Sequence, residues 1–437
     1  MMGKGQQLYI NAKSIIPGGT QLLSKRPEMH LPDQWPSYYS RAKGVDVWDL
    51  DGNHFIDMSY SGIGSCILGV ADPDVDAAVL AAINAGTMST LNCPEEVELA
   101  ELLCELHPWA GMVRYARGGG EALSIAVRIA RAYTGKDKIA FSGYHGWHDW
   151  YLAANLAEES ALDGHLMPGL DPAGVPRGLL GTAMPFRYNH LEELEDIVKR
   201  CGRDLAAIVI EPVRRNDPVP GYLEGVRRLS DKTGAILIVD EVSAGFRLNT
   251  GGAHLLYGLE PDMAVFAKAM SNGYPMAAII GKNQVMQAAQ STFISSTYWT
   301  ERIGPAAAIA TIRKHLRENV ARHLIDTGKN IQKGWREAAD QAGLKVDIGG
   351  ILPVGHLGFQ YDESQALHTL FTQLMLKKGF LAAKAFYATY AHRQAHVDAY
   401  LSAVAEVFGE LAEALKGKKV MEMLKGPIAH TGFHRLT

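Results

Sequence analysis

The residues best suited to chemistry in this chain are an acid and an amine, Asp240 and Lys268, each placed at the end of a short apolar run. Ala235-Ile236-Leu237-Ile238-Val239 leads straight into Asp240 and Glu241, and Met263-Ala264-Val265-Phe266-Ala267 leads into Lys268. Apolar, largely branched runs of this length predict buried parallel strands, and the carboxyl ends of such strands are where open α/β sheets bind ligands. An amine placed there can condense with an aldehyde, and a carboxylate beside it can face a basic ring nitrogen. Taken alone, such a pair reads more often as a plain ion pair or as two solvated loop residues, so other stretches have to decide.

Three further stretches bear on the decision. In the first, a strand over 112–116 runs into Gly118-Gly119-Gly120 and then a helix whose Ala122, Ile125, Ala126, Ile129, Ala130 and Tyr133 follow a three-four spacing. Glycines let a backbone come close, and the open amides of a helix start attract phosphate, although such turns serve packing alone about as often. No Gly-Lys-Ser/Thr follows and the G-x-G-x-x-G spacing fails, which disfavours a nucleoside-triphosphate loop and a dinucleotide site. In the second, a strand from Lys138 ends in Gly143-Tyr144-His145-Gly146, followed by Trp147, Trp150 and Tyr151. These rings could lie on a planar heterocycle, and they read equally as ordinary core or surface aromatics. His145 and His148 lack a third ligand at a recognisable spacing, so no metal is expected. In the third, the apolar run 206–210 again ends in an acid, Glu211.

The elements that must position these residues follow from composition and period. With 437 residues, 47% hydrophobic and 21% charged, the chain can bury a large core and form more than one domain. A net charge of −4 supplies no basic field for nucleic acid. Neither a charged-then-apolar leader nor an apolar run of membrane length is seen, so a cytoplasmic protein with no membrane partner is expected. The four cysteines, Cys66, Cys93, Cys104 and Cys201, form no C-x-x-C pair and read as reduced thiols. Residues 1–41 read as a short helix and an irregular arm, and the alternation around Asp51-Gly52 as a β-hairpin. Helical spacing covers 72–85 and 94–107, the latter through Val97, Ala100, Leu103 and Leu106. Strand and helix then alternate over 112–280, apart from a long Gly/Pro-rich loop at 158–182, which predicts a largely parallel sheet covered on both faces. The division expected is an arm and hairpin over 1–60, a large domain over 61–305, and a smaller α+β domain over 306–437 that the arm joins.

These stretches, together with Ile16-Pro17-Gly18-Gly19, Trp48-Asp49-Leu50-Asp51-Gly52-Asn53, Ile67-Leu68-Gly69 and Ile210-Glu211-Pro212-Val213, run in one order along most of the chain. In that order the chain resembles the class III (subgroup II) aminotransferases of fold type I, which use pyridoxal 5′-phosphate, and among them the aminomutase branch. The resemblance implies an α/β fold in which a large domain with a mostly parallel seven-stranded sheet accompanies a smaller α+β domain. It implies that Lys268 is the Schiff-base lysine, that Asp240 faces the pyridine nitrogen, and that Val242 and Tyr144 lie on the two ring faces. It implies phosphate contacts from the amides of Gly119 and Gly120, where the family carries hydroxyl side chains, and a site acid at Glu211. Thr297 is similar to the threonine that reaches the phosphate of the neighbouring subunit, which implies a homodimer with shared sites.

Two stretches depart from the aminomutase pattern. The arm at Thr20 to Arg26 loses the serine and arginine spacing that holds that enzyme's substrate, and Ser61-Gly62-Ile63-Gly64 lacks its tryptophan. The expectation is therefore net transamination from L-glutamate to the terminal aldehyde of a sugar acid, as in the amino-sugar-acid transaminases of surface polysaccharide synthesis. The mutase is the alternative, and a non-catalytic binding protein of the same fold is the alternative of another class. Arg26, Arg187, Arg214 and Arg247 are all candidates to hold a substrate carboxylate.

Overall fold

The computed structural model describes residues 3–165 and 167–433. It divides into two compact units, the larger formed by Pro73–Ala321 and the smaller by Met1–Asp72 together with Arg322–Thr437. The divisions expected from the sequence fall at 60/61 and 305/306. On the C-terminal side the difference is one helix, Ile303–Arg317, which belongs to the larger unit. It packs on the helix Pro73–Ala85 and on the turn Lys268–Ser271, because Ala306, Ala307, Ala308, Ile309 and Ile312 all need burial.

The larger unit is built on seven strands: β1 (Met112–Ala116), β2 (Lys138–Ser142), β3 (Ala183–Pro185), β4 (Leu205–Ile210), β5 (Ile236–Asp240), β6 (Met263–Phe266) and β7 (Ala277–Gly281). They lie in the order β1-β7-β6-β5-β4-β2-β3. β7 runs antiparallel to both its neighbours, and every other pairing is parallel. Each residue of β4, β5, β6 and β7 is buried, which explains why these strands read as unbroken apolar runs and do not alternate. Helix α1 (Gly119–Thr134) covers one face and packs on β4, β6 and β7. Its Ala122, Ile125, Ala126, Ile129 and Ala130 are buried as their spacing requires, but Tyr133 at the end of the stripe is exposed.

One predicted helix face is corrected. The helix Glu95–Leu106 buries Leu99 and Leu103, whereas Val97 is 62% exposed. Leu99 and Leu103 form an i,i+4 pair against the helix Ile303–Arg317, and that contact rotates the buried stripe away from Val97. A 23-residue helix, Val320–Ala342, has no counterpart in the sequence reading. Its buried Leu324, Ile331, Trp335 and Ala338 carry the helical period, diluted by the polar residues between them.

The smaller unit holds a four-stranded sheet, Tyr39–Lys43, Asp46–Asp49, His54–Asp57 and Phe380–Leu381, and a three-stranded one, Val346–Gly349, Val354–Phe359 and Ala385–Tyr387. The predicted hairpin is present, with Asp49 Oδ1 accepting the amides of Asp51 and Asn53 at 2.9 and 2.8 Å. Among the described residues no helix is long and apolar enough to cross a membrane.

Candidate active site

Register brings the chemistry together. Asp240 pairs with Val265 across β5 and β6, Val239 with Ile210 across β5 and β4, and Ile210 with Ser142 across β4 and β2. Four parallel strands therefore end side by side, with Asp240 the last residue of its strand and Lys268, Glu211 and the turn Gly143-Tyr144-His145 just beyond the tips of the others.

The two carboxylates that close β5 part company, because successive side chains of a strand point to opposite faces. Asp240 is 3% exposed, and its Oδ2 lies 2.7 Å from His145 Nδ1 while its Oδ1 accepts the Val242 amide at 2.9 Å. Glu241 turns away and accepts both the amide and Nδ1 of His254, at 2.8 and 2.7 Å. Trp109 Nε1 donates to His254 Nε2 at 3.1 Å, and an indole can only donate, so His254 carries its hydrogen on Nδ1 and gives it to Glu241. The neighbouring His107 Nε2 accepts the Gly252 amide at 3.0 Å. The segment 241–252 is thus anchored from behind, leaving Asp240 alone to face the site.

Lys268 follows β6 with φ +48°, an uncommon left-handed backbone for a lysine, and its Nζ donates to Ser243 Oγ at 2.9 Å. Burial, followed by the nearby Arg247 guanidinium, holds its amine below the usual lysine range, against the opposing pull of Asp240 and Glu211. Glu211 is 9% exposed, and its Oε2 pairs with Arg214 Nε at 2.6 Å. Burial still pushes its carboxyl up, with Arg214 pulling the other way. Gly143, at φ +129°, makes room for that acid, since a Cβ there would fall on Glu211 Oε2. Tyr144 is raised by burial and by Asp240, and it meets Tyr151 edge-on with centroids 5.8 Å apart.

The glycine turn is explained by what surrounds it. A Cβ on Gly119 would stand 2.8 Å from Val242 Cγ1, and one on Gly120 would stand 3.3 Å from Gly146 Cα. Two glycines therefore let the start of α1 settle on Val242 and on the Tyr-His-Gly turn. Glu121 Oε2 accepts the amides of Arg117 and Gly118 at 2.9 and 3.4 Å, leaving the first-turn amides of the helix for a ligand.

The four arginines separate. Arg187 is a surface residue paired with Glu193, and Arg26 packs against Gly18 in the arm of the smaller unit. Arg214 stands in the cluster and also donates to the His165 carbonyl. Arg247 is fully buried, with its Nε donating to the Ser243 carbonyl at 2.6 Å. Thr297 is exposed on the short turn Thr297–Thr300, its carbonyl accepting the Thr300 hydroxyl at 3.2 Å. Two contacts escaped the sequence reading. His145, weighed there only as a metal ligand, is the partner of Asp240, and Ser243 is the partner of Lys268. The only signal for His145 was its place just past the end of β2, a strand that lies beside β4 and one strand away from β5.

A nucleophilic amine, a buried acid with a fixed donor, aromatic and branched side chains, and open helix-start amides fit pyridoxal phosphate, and the fold and site define an aminotransferase that uses this cofactor. The class-III aminotransferase family matches residues 30–386, and the chain belongs to that family. It is 32% identical over 427 residues to the 3-aminobutyryl-CoA aminotransferase of Cloacimonas acidaminovorans, covering 95% of this chain and 99% of that one. It is 34% identical to the glutamate-1-semialdehyde 2,1-aminomutase of Heliobacterium modesticaldum, covering 94% and 98%. Among solved structures it is similar to the FumI protein of a Sphingopyxis species in its PLP internal aldimine form, with a TM-score of 0.85, 27% identity, and coverage of 95% and 98%.

Proposed function

We propose that this enzyme moves an amino group from L-glutamate to the terminal aldehyde of a small carboxylate-bearing acceptor, a sugar acid, in two half-reactions. The observation that carries the reading is the meeting of Lys268, Asp240, Glu211 and Arg214 at adjacent strand tips. Bound pyridoxal phosphate supplies an aldehyde and an electron-accepting ring. Lys268 holds the aldehyde and, once free, takes and returns the substrate's α-proton through Nζ, a task that an amine held below the usual lysine range performs well. Asp240 faces the ring nitrogen and keeps a proton on it, and His145 fixes the orientation of that carboxylate. Val242 and Tyr144 flank the ring, and the amides of Gly119 and Gly120 hold the phosphate. Thr297, exposed on its own chain, completes the phosphate site of a second copy in a homodimer.

Arg214 is the arginine best placed to recognise a substrate carboxylate, because its guanidinium already binds one in Glu211 beside the reacting groups. The aminomutase and the acyl-CoA aminotransferase among the relatives supply the competing readings. Mixing holoenzyme with L-glutamate alone separates the transaminase from the mutase, and adding the sugar-acid aldehyde or a 3-oxoacyl-CoA to the aminated enzyme then separates the two acceptors. Release of one 2-oxoglutarate per site, with conversion of the cofactor to its pyridoxamine form, is expected. Inertness toward glutamate, with turnover of glutamate-1-semialdehyde to 5-aminolevulinate or of a 3-aminoacyl-CoA, would overturn the proposal.

A further inference from the structure

We propose that Ser243 is a positioning residue for catalysis: its hydroxyl is the resting point of the Lys268 amine whenever that amine is free, and it aims the amine for proton transfer. The inference rests on the catalytic reading of Lys268.

The geometry begins with the lysine. Its left-handed backbone, φ +48°, follows the tip of β6, and Nζ comes to rest 2.9 Å from Ser243 Oγ. No other hydrogen bond of Nζ is seen among the described residues, so this one contact sets where the amine stops. A neutral amine has two N–H bonds and one lone pair, and giving one hydrogen to Ser243 confines the lone pair to the two remaining tetrahedral positions. A base aimed in this way begins proton transfer from an oriented state and avoids a search over side-chain rotamers.

Ser243 is itself held firmly. The Val242 amide before it is bound by Asp240 Oδ1, and the Ser243 carbonyl accepts Arg247 Nε at 2.6 Å. Two residues on, Gly245 donates to the Glu241 carbonyl at 2.8 Å, and a Cβ there would meet that carbonyl at 2.7 Å and Phe266 of β6 at 2.9 Å. The segment is therefore clamped to β6, the strand that delivers Lys268. Ser243 also lies between two basic side chains, with the hydroxyl toward Lys268 and the carbonyl toward Arg247. The charged groups that act on the amine are Arg247 from the same segment, Asp240 from β5 and Glu211 from β4. Against that background the hydroxyl is the one neutral group bonded directly to the amine, and it favours the protonated form by accepting from it.

Removing the hydroxyl thus has two expected effects. With Ser243→Ala, the titration midpoint of the Lys268 amine in the apoprotein falls by about one pH unit, the change equivalent to losing one modest hydrogen bond. In the holoenzyme, kcat falls about tenfold to a hundredfold with little change in KM, and Ser243→Thr restores most of both. The midpoint is read without cofactor, by competitive acetylation of apoprotein across pH and mass spectrometry of the Lys268 peptide. An unchanged midpoint in Ser243→Ala would overturn the proposal whether or not kcat falls, because the hydroxyl would then act elsewhere than on the amine. A shifted midpoint with unchanged kcat would overturn it as well, because the amine's resting point would not matter to turnover. A Lys268→Ala enzyme that stays active would instead overturn the reading of Lys268 itself, so the two failures are told apart.

Discussion

At the scale of single residues, the site depends on one buried carboxylate and the ring that holds it. Asp240 has one donor on each oxygen, His145 and the Val242 amide, and this leaves it a single fixed orientation toward the centre of the cluster. In our proposal Asp240→Ala removes the group that keeps the ring nitrogen protonated. We expect kcat at saturating cofactor to fall by a hundredfold or more, roughly 3 kcal/mol of transition-state stabilisation. A rate within threefold of the native enzyme, measured by stopped-flow with L-glutamate, would contradict that role. His145 shows why such a partner is hard to read from sequence: its neighbours in the chain are aromatic and glycine, and its acid lies 95 residues away.

At the scale of elements, the strand tips were legible and the contacts between them were not. Apolar runs closed by Asp240, Glu211 and Lys268 announced buried parallel strands, and the structure has β5, β4 and β6 there. Strand order is set by packing, and it is strand order that makes neighbours of Asp240 and His145. Val97 was misread for a related reason, since its helix offers two apolar stripes and only the facing helix chooses between them. The glycine turn allows a test at this scale. Gly118 has no heavy atom within 4 Å of its would-be Cβ, whereas Gly119 meets Val242 at 2.8 Å. Gly119→Ala forces the start of α1 off Val242 at a cost of about 1–3 kcal/mol and should weaken cofactor binding about tenfold, while Gly118→Ala should bind normally. Equal affinities in a cofactor titration of the two apoproteins would refute that account of the turn.

At the scale of the whole molecule, two properties follow. The first is acid stability. Burial lowers the imidazoles of His107, His315 and His392 from 6.5 to about 4, so the unfolded chain binds more protons than the folded one between those values. Stability is therefore fully present above pH 6.5 and is lost as pH falls toward 4, by on the order of 2 kcal/mol for each ring. Urea midpoints taken at pH 7, 5.5 and 4.5 should drop in that order, and a flat series would show that these rings do not titrate on unfolding. The second is assembly. The exposed Thr297 serves our proposal only if a second copy completes the site, so Thr297→Ala should weaken cofactor binding, and dilution to monomer should release cofactor. A monomer that keeps cofactor at nanomolar concentration in analytical ultracentrifugation would contradict the shared site.

The central claim is that Lys268 carries the cofactor. Holoenzyme treated with borohydride, digested and sequenced by mass spectrometry should show the reduced pyridoxyl phosphate group on the peptide containing Lys268 and on no other. Its appearance on a different lysine, or its absence from a coloured, active preparation, would contradict the account.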